Sequence, residues 1–383
     1  MNGSGVITVG MPSSTTYAPS SYLLLTGSWS GTANDAFLPQ AMGGNVSIWG
    51  GTTITLNNSK TIGGTLYVDG TLHCGTGSLA HSVAGTTTLD NSGLIILNGQ
   101  SLTLGAVMNN GTGQFQGSVA SNLSLNGAFT GNFIMQGGAQ DLNNFTVNHG
   151  AGNVLNLATG TSPIVNGALT LTSGRVVTGA VNTITLLNPS TGALAGGNVN
   201  AYIDGRLIRR WNGGLAAPGT HYFYPVGAGI SYRPLTVRDV LTGAAPDVLV
   251  APDAAGATSF SAPLANGLPF NWRVETLNGS VNAFTPSADA TGVPNDYVLA
   301  RSTAMQIGPY TTLGGATMGS PRLGSAIALP PGILYLAFGL QGATITTFFP
   351  STVNTGDTVT ISVQIPPVRR SASNEAAFKQ KTS

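Results

Sequence analysis

The stretch NLSLNGAFTGNFIMQGGAQDLNNFTVNHGAGNVLNL, residues 122–157, repeats one short pattern of alternating apolar and polar residues. Its apolar pairs are Leu123 and Leu125, Phe133 and Met135, Phe145 and Val147, and Leu155 and Leu157. A period of two residues indicates β-strands rather than helices. The first members of these pairs lie 10, 12 and 10 residues apart. The stretch therefore predicts a series of short strands separated by turns.

The same pattern extends in both directions, from about Gly43 to Leu187, in runs such as NVSIW, TTITL, GLIIL and NTITLL. Strands this short cannot bury an apolar face alone, but they can when coils of the chain stack on one another. Glycine and asparagine between the runs supply the turn conformations that the corners of such coils need. We expect a β-solenoid or a flattened, solenoid-like stack of sheets. Spacing alone leaves an antiparallel β-sandwich open as the alternative.

The pattern changes near residue 200. In AYIDGRLIRRW, Ala201 to Trp211, the dipeptide Asp204-Gly205 lies between two apolar runs and predicts a β-hairpin. Strand-like runs continue to Leu340 with a spacing that fits one antiparallel β-sandwich of about 130 to 140 residues. Phe270 and Trp272 are expected to anchor its core.

A last strand is predicted from Thr358 to Ile365, where apolar residues alternate with polar ones and no partner domain is obvious nearby. The fold class is therefore predicted to be all-β, with an N-terminal β-solenoid-like repeat region, an antiparallel β-sandwich and a terminal β-strand extension. The predicted segments are an N-terminal strand segment (1–42), a β-solenoid-like repeat domain (43–200), a β-sandwich domain (201–341), and a C-terminal strand extension with a mobile tail (342–383).

The low content of charged residues limits the classes of partner that the protein is expected to bind. Charged residues make up 7% of the chain and the net charge is +1, whereas about 25% is usual in soluble domains. Such a surface is not expected to attract nucleic acid or anionic membranes. No apolar run reaches the roughly 18 residues of a membrane span. The single cysteine, Cys74, cannot form an intrachain disulfide and is expected to be buried.

The stretch GTHYFYPVGAGISYRPLTV, residues 219–237, gathers His221, three tyrosines and Arg233 in a chain with four histidines. A catalytic His221 would need an orienting carboxylate and a nucleophile nearby, and the chain has no nucleophile-elbow motif. The four histidines are far apart in sequence and the acids are scattered. We therefore predict no catalytic residue, no cofactor and no metal ion. Arg206, Arg209 and Arg210 are expected to form a solvated face or to contact the carbonyls of another subunit.

The segment GNFIMQGGAQDLNNFTVNHGAGNVLNLATGTSPIVNGALTLTSGRVVTGAVNTITLLN resembles the repetitive β segments of large surface proteins and adhesins of Bacteroidota. AYIDGRLIRRW…GTHYFYPVGAGISYRPLTV, NWRVET and DYVLAR resemble the elements that follow in those proteins, so the resemblance covers roughly residues 120–340. It implies secretion by the type nine secretion system, an extracellular or cell-surface location and no catalytic residues. A full C-terminal sorting domain is not found. ATITTFFPSTVNTGDTVTISV instead resembles the opening strands of an immunoglobulin-like TIG domain.

Three functions follow as hypotheses. The first is a non-enzymatic extracellular structural protein whose subunits assemble into a surface filament or layer through strand edges. Its expected subunit interface consists of Thr358, Val359, Ile361, Val363 and Ile365. The second is an adhesin or stalk module that binds glycans or other cells. The third, a β-helix polysaccharide-active enzyme, is disfavoured because only six charged residues precede residue 201.

Overall fold

The computed structural model describes residues 40–253, 256–315, 319–329 and 332–342, together with the backbone of three further strands, Tyr22–Leu25, Thr344–Thr346 and Ser362–Gln364. Within these ranges every regular element is a β-strand, apart from one turn of 3-10 helix at Thr191–Ala193. The all-β prediction is therefore confirmed.

Strands β1 to β25 belong to a stack of coils. In chain order they are β1 Tyr22–Leu25, β2 Ala41–Met42, β3 Asn45–Ile48, β4 Thr53–Thr55, β5 Thr61–Ile62, β6 Leu66–Val68, β7 Thr71–His73, β8 Ala80–Val83, β9 Thr87–Leu89, β10 Leu94–Ile96, β11 Ser101–Leu104, β12 Val107–Asn109, β13 Gln114–Gln116, β14 Asn122–Leu125, β15 Phe129–Thr130, β16 Asn132–Phe133, β17 Asp141–Leu142, β18 Asn144–Asn148, β19 Val154–Leu157, β20 Ile164–Val165, β21 Leu169–Val177, β22 Ile184–Leu186, β23 Leu194–Gly196, β24 Ala201–Asp204 and β25 Leu207–Arg210.

The remaining strands form the C-terminal region. They are β26 Tyr222–Tyr224, β27 Val226–Ala228, β28 Ser231–Tyr232, β29 Leu235–Thr242, β30 Asp247–Asp253, β31 Leu264–Asn278, β32 Val281–Ala288, β33 Tyr297–Ser302, β34 Thr311–Thr312, β35 Arg322–Leu323, β36 Ile327–Leu329, β37 Gly332–Gln341, β38 Thr344–Thr346 and β39 Ser362–Gln364.

Parallel pairing between successive coils defines the first region as a β-solenoid. Leu102 pairs with Leu123, Leu123 with Phe145, and Phe145 with Leu169, so these coils contain 21, 22 and 24 residues. The described residues make about nine turns of this kind. The solenoid prediction is confirmed. The antiparallel alternative is excluded for this region, since each coil pairs in parallel with the next.

The interior of the solenoid is a set of apolar columns, because every second residue of each strand points inward and lies above its partner in the next coil. Leu104, Leu125, Val147 and Leu171 form one such column and are at most 1% exposed. Phe133 lies at the centre of an aromatic group, with ring centroids 5.3 Å from Phe115, 5.9 Å from Phe129 and 5.9 Å from Phe145. Cys74 is buried in the same core, as expected.

Side-chain amides and glycines hold the corners of the coils together. The Nδ2 group of the buried Asn109 donates to the carbonyls of Gly113 (2.8 Å) and Asn132 (2.9 Å). Gly131 has a φ of +85°, and a Cβ there would lie 2.2 Å from the carbonyl oxygen of Asn109. Glycine is needed at this corner because a larger residue would push the coils apart.

Two sheets join the solenoid to the C-terminal region, and one of them ends with β27 and β28, which follow β24. The other is the main sheet. Within the described residues its strand order is β17-β20-β22-β25-β30-β31-β37-β33-β34. Pairing is parallel as far as β25 and antiparallel from β25 to β30 onward. The last coil therefore includes residues 201–210 and passes the predicted domain boundary at residue 200. Because backbone hydrogen bonds continue across this point, the solenoid and the C-terminal region share one continuous sheet.

The hairpin predicted at Asp204-Gly205 is wrong. β24 and β25 flank this dipeptide, but β24 pairs with β21 and β25 pairs with β22, both in parallel. Thr178 Oγ1 accepts a hydrogen bond from the backbone N–H of Arg206 at 2.9 Å, which fixes the dipeptide as a corner between two faces of the coil. The neighbouring coil therefore overrides the local turn preference.

A second sheet, β26-β29-β32-β35 with β36 beside β32, completes the C-terminal region. Buried residues of this sheet, including Val237 and Phe284, belong to the same hydrophobic core as Trp272 and Phe338 of the continuous sheet. Phe270 and Trp272 are 5% and 1% exposed, which confirms them as core residues. Antiparallel sheets that share a core agree with the predicted sandwich-like arrangement.

Candidate functional site

The predicted interface strand lies only partly within the described residues. Four of its five residues fall outside them, namely Thr358, Val359, Ile361 and Ile365. Val363 belongs to β39, which pairs antiparallel with β38 and places Val363 opposite Ile345. Among the described residues, β39 therefore has one neighbouring strand. In the part of the chain that the structure describes, β38 and β39 form a separate sheet and pair with no other strand.

The arginine cluster does not form a common face. Arg209 is fully buried, and its guanidinium donates to the carbonyls of Phe223 (2.8 Å), Ser190 (3.2 Å) and Thr191 (3.2 Å). Its Cζ lies 5.3 Å from the centroid of the Tyr222 ring. Burial lowers the pKa of Arg209. The expectation of a solvated face or an intersubunit contact is wrong for Arg209, because the carbonyls that it binds belong to its own chain.

The two neighbouring arginines have other partners. Arg210 makes two hydrogen bonds to the carboxylate of Asp247, at 2.8 and 3.0 Å. Arg206 lies nearer the surface, where it donates to the carbonyl of Ala180 at 2.8 Å. Arg206, Arg209 and Arg210 are close in sequence, but each guanidinium binds different partners.

His221 and its neighbours contact other parts of the same fold. His221 Nδ1 accepts a hydrogen bond from the backbone N–H of Asp239 at 3.2 Å, at a bulge where Asp239 has a φ of +50°. Tyr222 and Tyr224 are buried on the other face of the strand. Trp211 Nε1 donates to the hydroxyl of Tyr224 at 2.9 Å. These contacts attach the first strand of the second sheet to the end of the solenoid.

The histidines of the solenoid are tied to backbone groups. His81 Nε2 lies 2.9 Å from the carbonyl of Cys74, and its Nδ1 accepts from the N–H of Lys60 at 3.2 Å. His73 Nδ1 accepts from the N–H of Gly75 at 3.1 Å. Among the described residues, no group of three or more His, Cys, Asp or Glu is placed to hold a metal ion.

His149 is the most deeply buried histidine of the solenoid, with 2% of its surface exposed. Its Nδ1 donates to the carbonyl of Gly127, since a carbonyl only accepts, so Nε2 is the unprotonated nitrogen. This Nε2 is buried without a hydrogen-bond partner. Burial lowers the pKa of His149 more than the bond to Gly127 raises it.

We expect acid to destabilise the solenoid through His149. As the pH falls below about 6.5, the unfolded chain binds a proton that the folded chain excludes, so stability is complete above this pH and declines as it falls toward the lowered folded pKa. Urea midpoints measured from pH 7.5 to 5 should decrease for the wild type and decrease less for His149→Gln. Some dependence should remain because burial also lowers the pKa of His73. If the urea midpoints of the wild type and His149→Gln decrease equally with pH, the role given to His149 would be contradicted.

An aromatic and acidic group lies on the outer surface of the first coils. Trp49 follows β3 and is 46% exposed, and its ring centroid lies 6.2 Å from that of Tyr67 at an interplanar angle of 50°. The Tyr67 hydroxyl donates to Asp90 Oδ2 at 2.6 Å. Asp69 Oδ1 accepts from Ser92 Oγ at 2.6 Å. We call Trp49, Tyr67, Asp69 and Asp90 the Trp49 patch.

No local sequence pattern brings these residues together, because they are about one coil apart along the chain. The register supplies the missing signal: Ile48 pairs with Val68, and Val68 pairs with Leu89. Trp49, Asp69 and Asp90 are the residues that directly follow these three positions. An alignment of the repeats by coil length would therefore have placed them in one column.

Among the described residues, no helix is long and apolar enough to cross a membrane. No family model, no curated protein and no solved structure matches this chain. The resemblance to surface proteins and adhesins therefore stays a prediction.

Proposed function

We propose that this protein is a non-enzymatic structural subunit of an extracellular filament or surface layer, and that its subunits join through β-strand edges. The observation that carries this proposal is the sheet of β38 and β39, which pairs with no other strand of the described chain. An isolated pair of strands is at best marginally stable in water. A further strand from a neighbouring subunit would satisfy its free edges and stabilise it.

The continuity of the main sheet supports a mechanical role. Nine strands of the described chain pair without a break from the solenoid into the C-terminal region. Backbone hydrogen bonds across the junction oppose bending there, so a contact made at one end is held in a fixed orientation to the other end. Head-to-tail contacts between such subunits extend into a filament when their rotation does not close a ring.

The extracellular location rests on the resemblance and on the surface composition. The solenoid carries ladders of uncharged polar side chains, such as Asn144 Nδ2 donating to Asn122 Oδ1 at 2.7 Å and Asn122 Nδ2 donating to Ser101 Oγ at 3.0 Å. Because this surface has few charged residues to repel the strand edge of a neighbouring subunit, it favours association of the subunits over their separation. The adhesin function remains the second candidate because of the Trp49 patch.

Two deletions test the assembly. Removal of residues 343–383 takes away both strands of the separate sheet, and we expect it to raise the protein concentration needed for polymer formation at least 10-fold. The matched control removes only the polar residues 371–383 and should assemble like the full chain. Assembly is measured by sedimentation and electron microscopy at several concentrations. Normal polymers from the 343–383 deletion would contradict the role of this sheet.

A further inference from the structure

The Trp49 patch is the most exposed large aromatic surface near charged groups in the described chain. Trp49 is 46% exposed, and Met108, on the same sheet three coils further along, is 40% exposed. A tryptophan at this level of exposure leaves much of an apolar indole ring in water, which is unfavourable unless a partner covers it.

Hydrogen bonds set the patch in a defined geometry. The Tyr67 ring is held against Trp49 by the bond from its hydroxyl to Asp90 Oδ2 at 2.6 Å. Asp90 Oδ1 accepts from the N–H of Asn91 at 2.9 Å, and Asp69 Oδ2 accepts from the N–H of Gly50 at 3.2 Å. Both carboxylates are thus fixed on their coils rather than free to rotate. Fixed groups lose little conformational entropy when they bind a ligand.

Glycine at position 50 is needed for this arrangement. A Cβ at Gly50 would lie 2.9 Å from Asp69 Oδ2, closer than side-chain atoms normally approach. The corner after β3 therefore leaves room for the Asp69 carboxylate directly beside Trp49. The two carboxylates follow Val68 and Leu89, which are paired, so they lie one coil apart, or about 4.8 Å along the solenoid.

The chemistry of the patch selects a ligand class. An aromatic ring with one face in water offers contact area to a flat apolar surface, and the adjacent carboxylates offer only hydrogen-bond acceptors. Each carboxylate has about four lone-pair sites, and the bonds above use two on each. A pyranose matches both properties, since one face of the ring carries C–H groups and its edge carries hydroxyl donors. Anionic sugars are excluded, because Asp69 and Asp90 repel them.

We propose that the Trp49 patch binds a neutral glycan, with one sugar ring stacked on Trp49 and the next donating hydroxyl hydrogen bonds to Asp69 and Asp90. The column from Trp49 to Asp90 covers two coil steps, or about 10 Å, which suits two adjacent sugar rings. The site is independent of the strand edges that the proposed assembly uses, so either function can hold without the other.

The test uses the full-length protein and isothermal titration calorimetry with three neutral probes, the β-1,4-linked tetrasaccharides of glucose, galactose and N-acetylglucosamine. Tetragalacturonate is the acidic counterpart. We expect at least one neutral probe to bind, and Trp49→Ala to weaken this binding at least 10-fold. Met108→Ala is the matched control, with an exposed side chain on the same sheet, and should bind within twofold of the wild type. Both variants should retain the wild-type circular dichroism spectrum.

A second variant tests the role of the carboxylates. Asp90→Asn keeps a hydrogen-bond acceptor for Tyr67 but removes the charge, so the preference for the neutral probe over tetragalacturonate should decrease several-fold. The proposal is overturned if none of the neutral probes binds, if Trp49→Ala binds them as well as Met108→Ala does, or if binding requires added Ca²⁺. It is also overturned if the wild type binds no glycan and Trp49→Ala has a different molar mass from the wild type in light scattering. The patch would then be a contact between subunits.

Discussion

Arg209→Ala is expected to lower the free energy of unfolding of the C-terminal region by at least about 3 kcal/mol. The substitution removes the guanidinium that donates to the partly buried carbonyls of Phe223, Ser190 and Thr191, of which Ser190 keeps the N–H of Ala193. A buried acceptor that is left unpaired costs about 1–3 kcal/mol. It also removes a fully buried side chain that packs on Tyr222 and leaves a cavity. The fluorescence of Trp211, which stacks on Tyr222 at 5.1 Å, reports this part of the structure during urea unfolding.

Arg206→Ala is the matched control for this prediction. Arg206 makes one hydrogen bond at the surface, to the carbonyl of Ala180, so its loss should change stability by no more than about 0.5 kcal/mol. Arg209→Met adds a second comparison if Arg209→Ala fails to fold, since methionine fills part of the space but donates no hydrogen bond. Equal urea midpoints for Arg206→Ala and the Arg209 variants would contradict the buried role of Arg209.

Phe133→Ala should destabilise the solenoid by about 3–5 kcal/mol, the usual cost of removing a buried aromatic ring. Phe133 is fully buried and contacts the rings of Phe115, Phe129 and Phe145, which lie in different strands of adjacent coils. Because each coil of a solenoid is stabilised mainly by its neighbours, the damage should concentrate in these coils. Hydrogen exchange should show large losses of protection around Phe115 and Phe145 and small ones in β31.

The control for Phe133→Ala is Val119→Ala, since Val119 lies in the same region and is 63% exposed. Its effect on stability should remain within about 0.5 kcal/mol. Loss of protection spread evenly over the solenoid and the C-terminal sheets would indicate that the whole chain unfolds as one unit and would contradict the local effect.

Much of the fold follows from local patterns. The period of two between Phe145 and Val147, or Leu155 and Leu157, identifies both the strands and the inward-facing residues, all of which are buried. Short apolar runs bounded by glycine and asparagine also favour stacked coils, because stacking buries such strands, but their spacing fits an antiparallel sandwich as well. The core positions of Phe270 and Trp272 are predictable for the same reason, as large apolar residues within a strand.

The wrong predictions involve contacts between distant residues. Asp204-Gly205 has the sequence of a hairpin turn, but Asp204 instead accepts from Arg175 and from the N–H of Gly229, both at 2.8 Å. Arg209 is polar in sequence but buried in the structure, because its carbonyl partners are 14 to 19 residues away. The Trp49 patch is similar, since its residues meet only through the register of successive coils. No local pattern contains these partners.

The most direct test of the account is electron microscopy of the purified, untagged full-length protein, together with size-exclusion chromatography and light scattering. If the subunits self-assemble as proposed, we expect long regular fibres or sheets whose subunits repeat at a constant spacing, in equilibrium with a small soluble fraction. A single species with the mass of one chain, 38.7 kDa, at every concentration would contradict self-assembly.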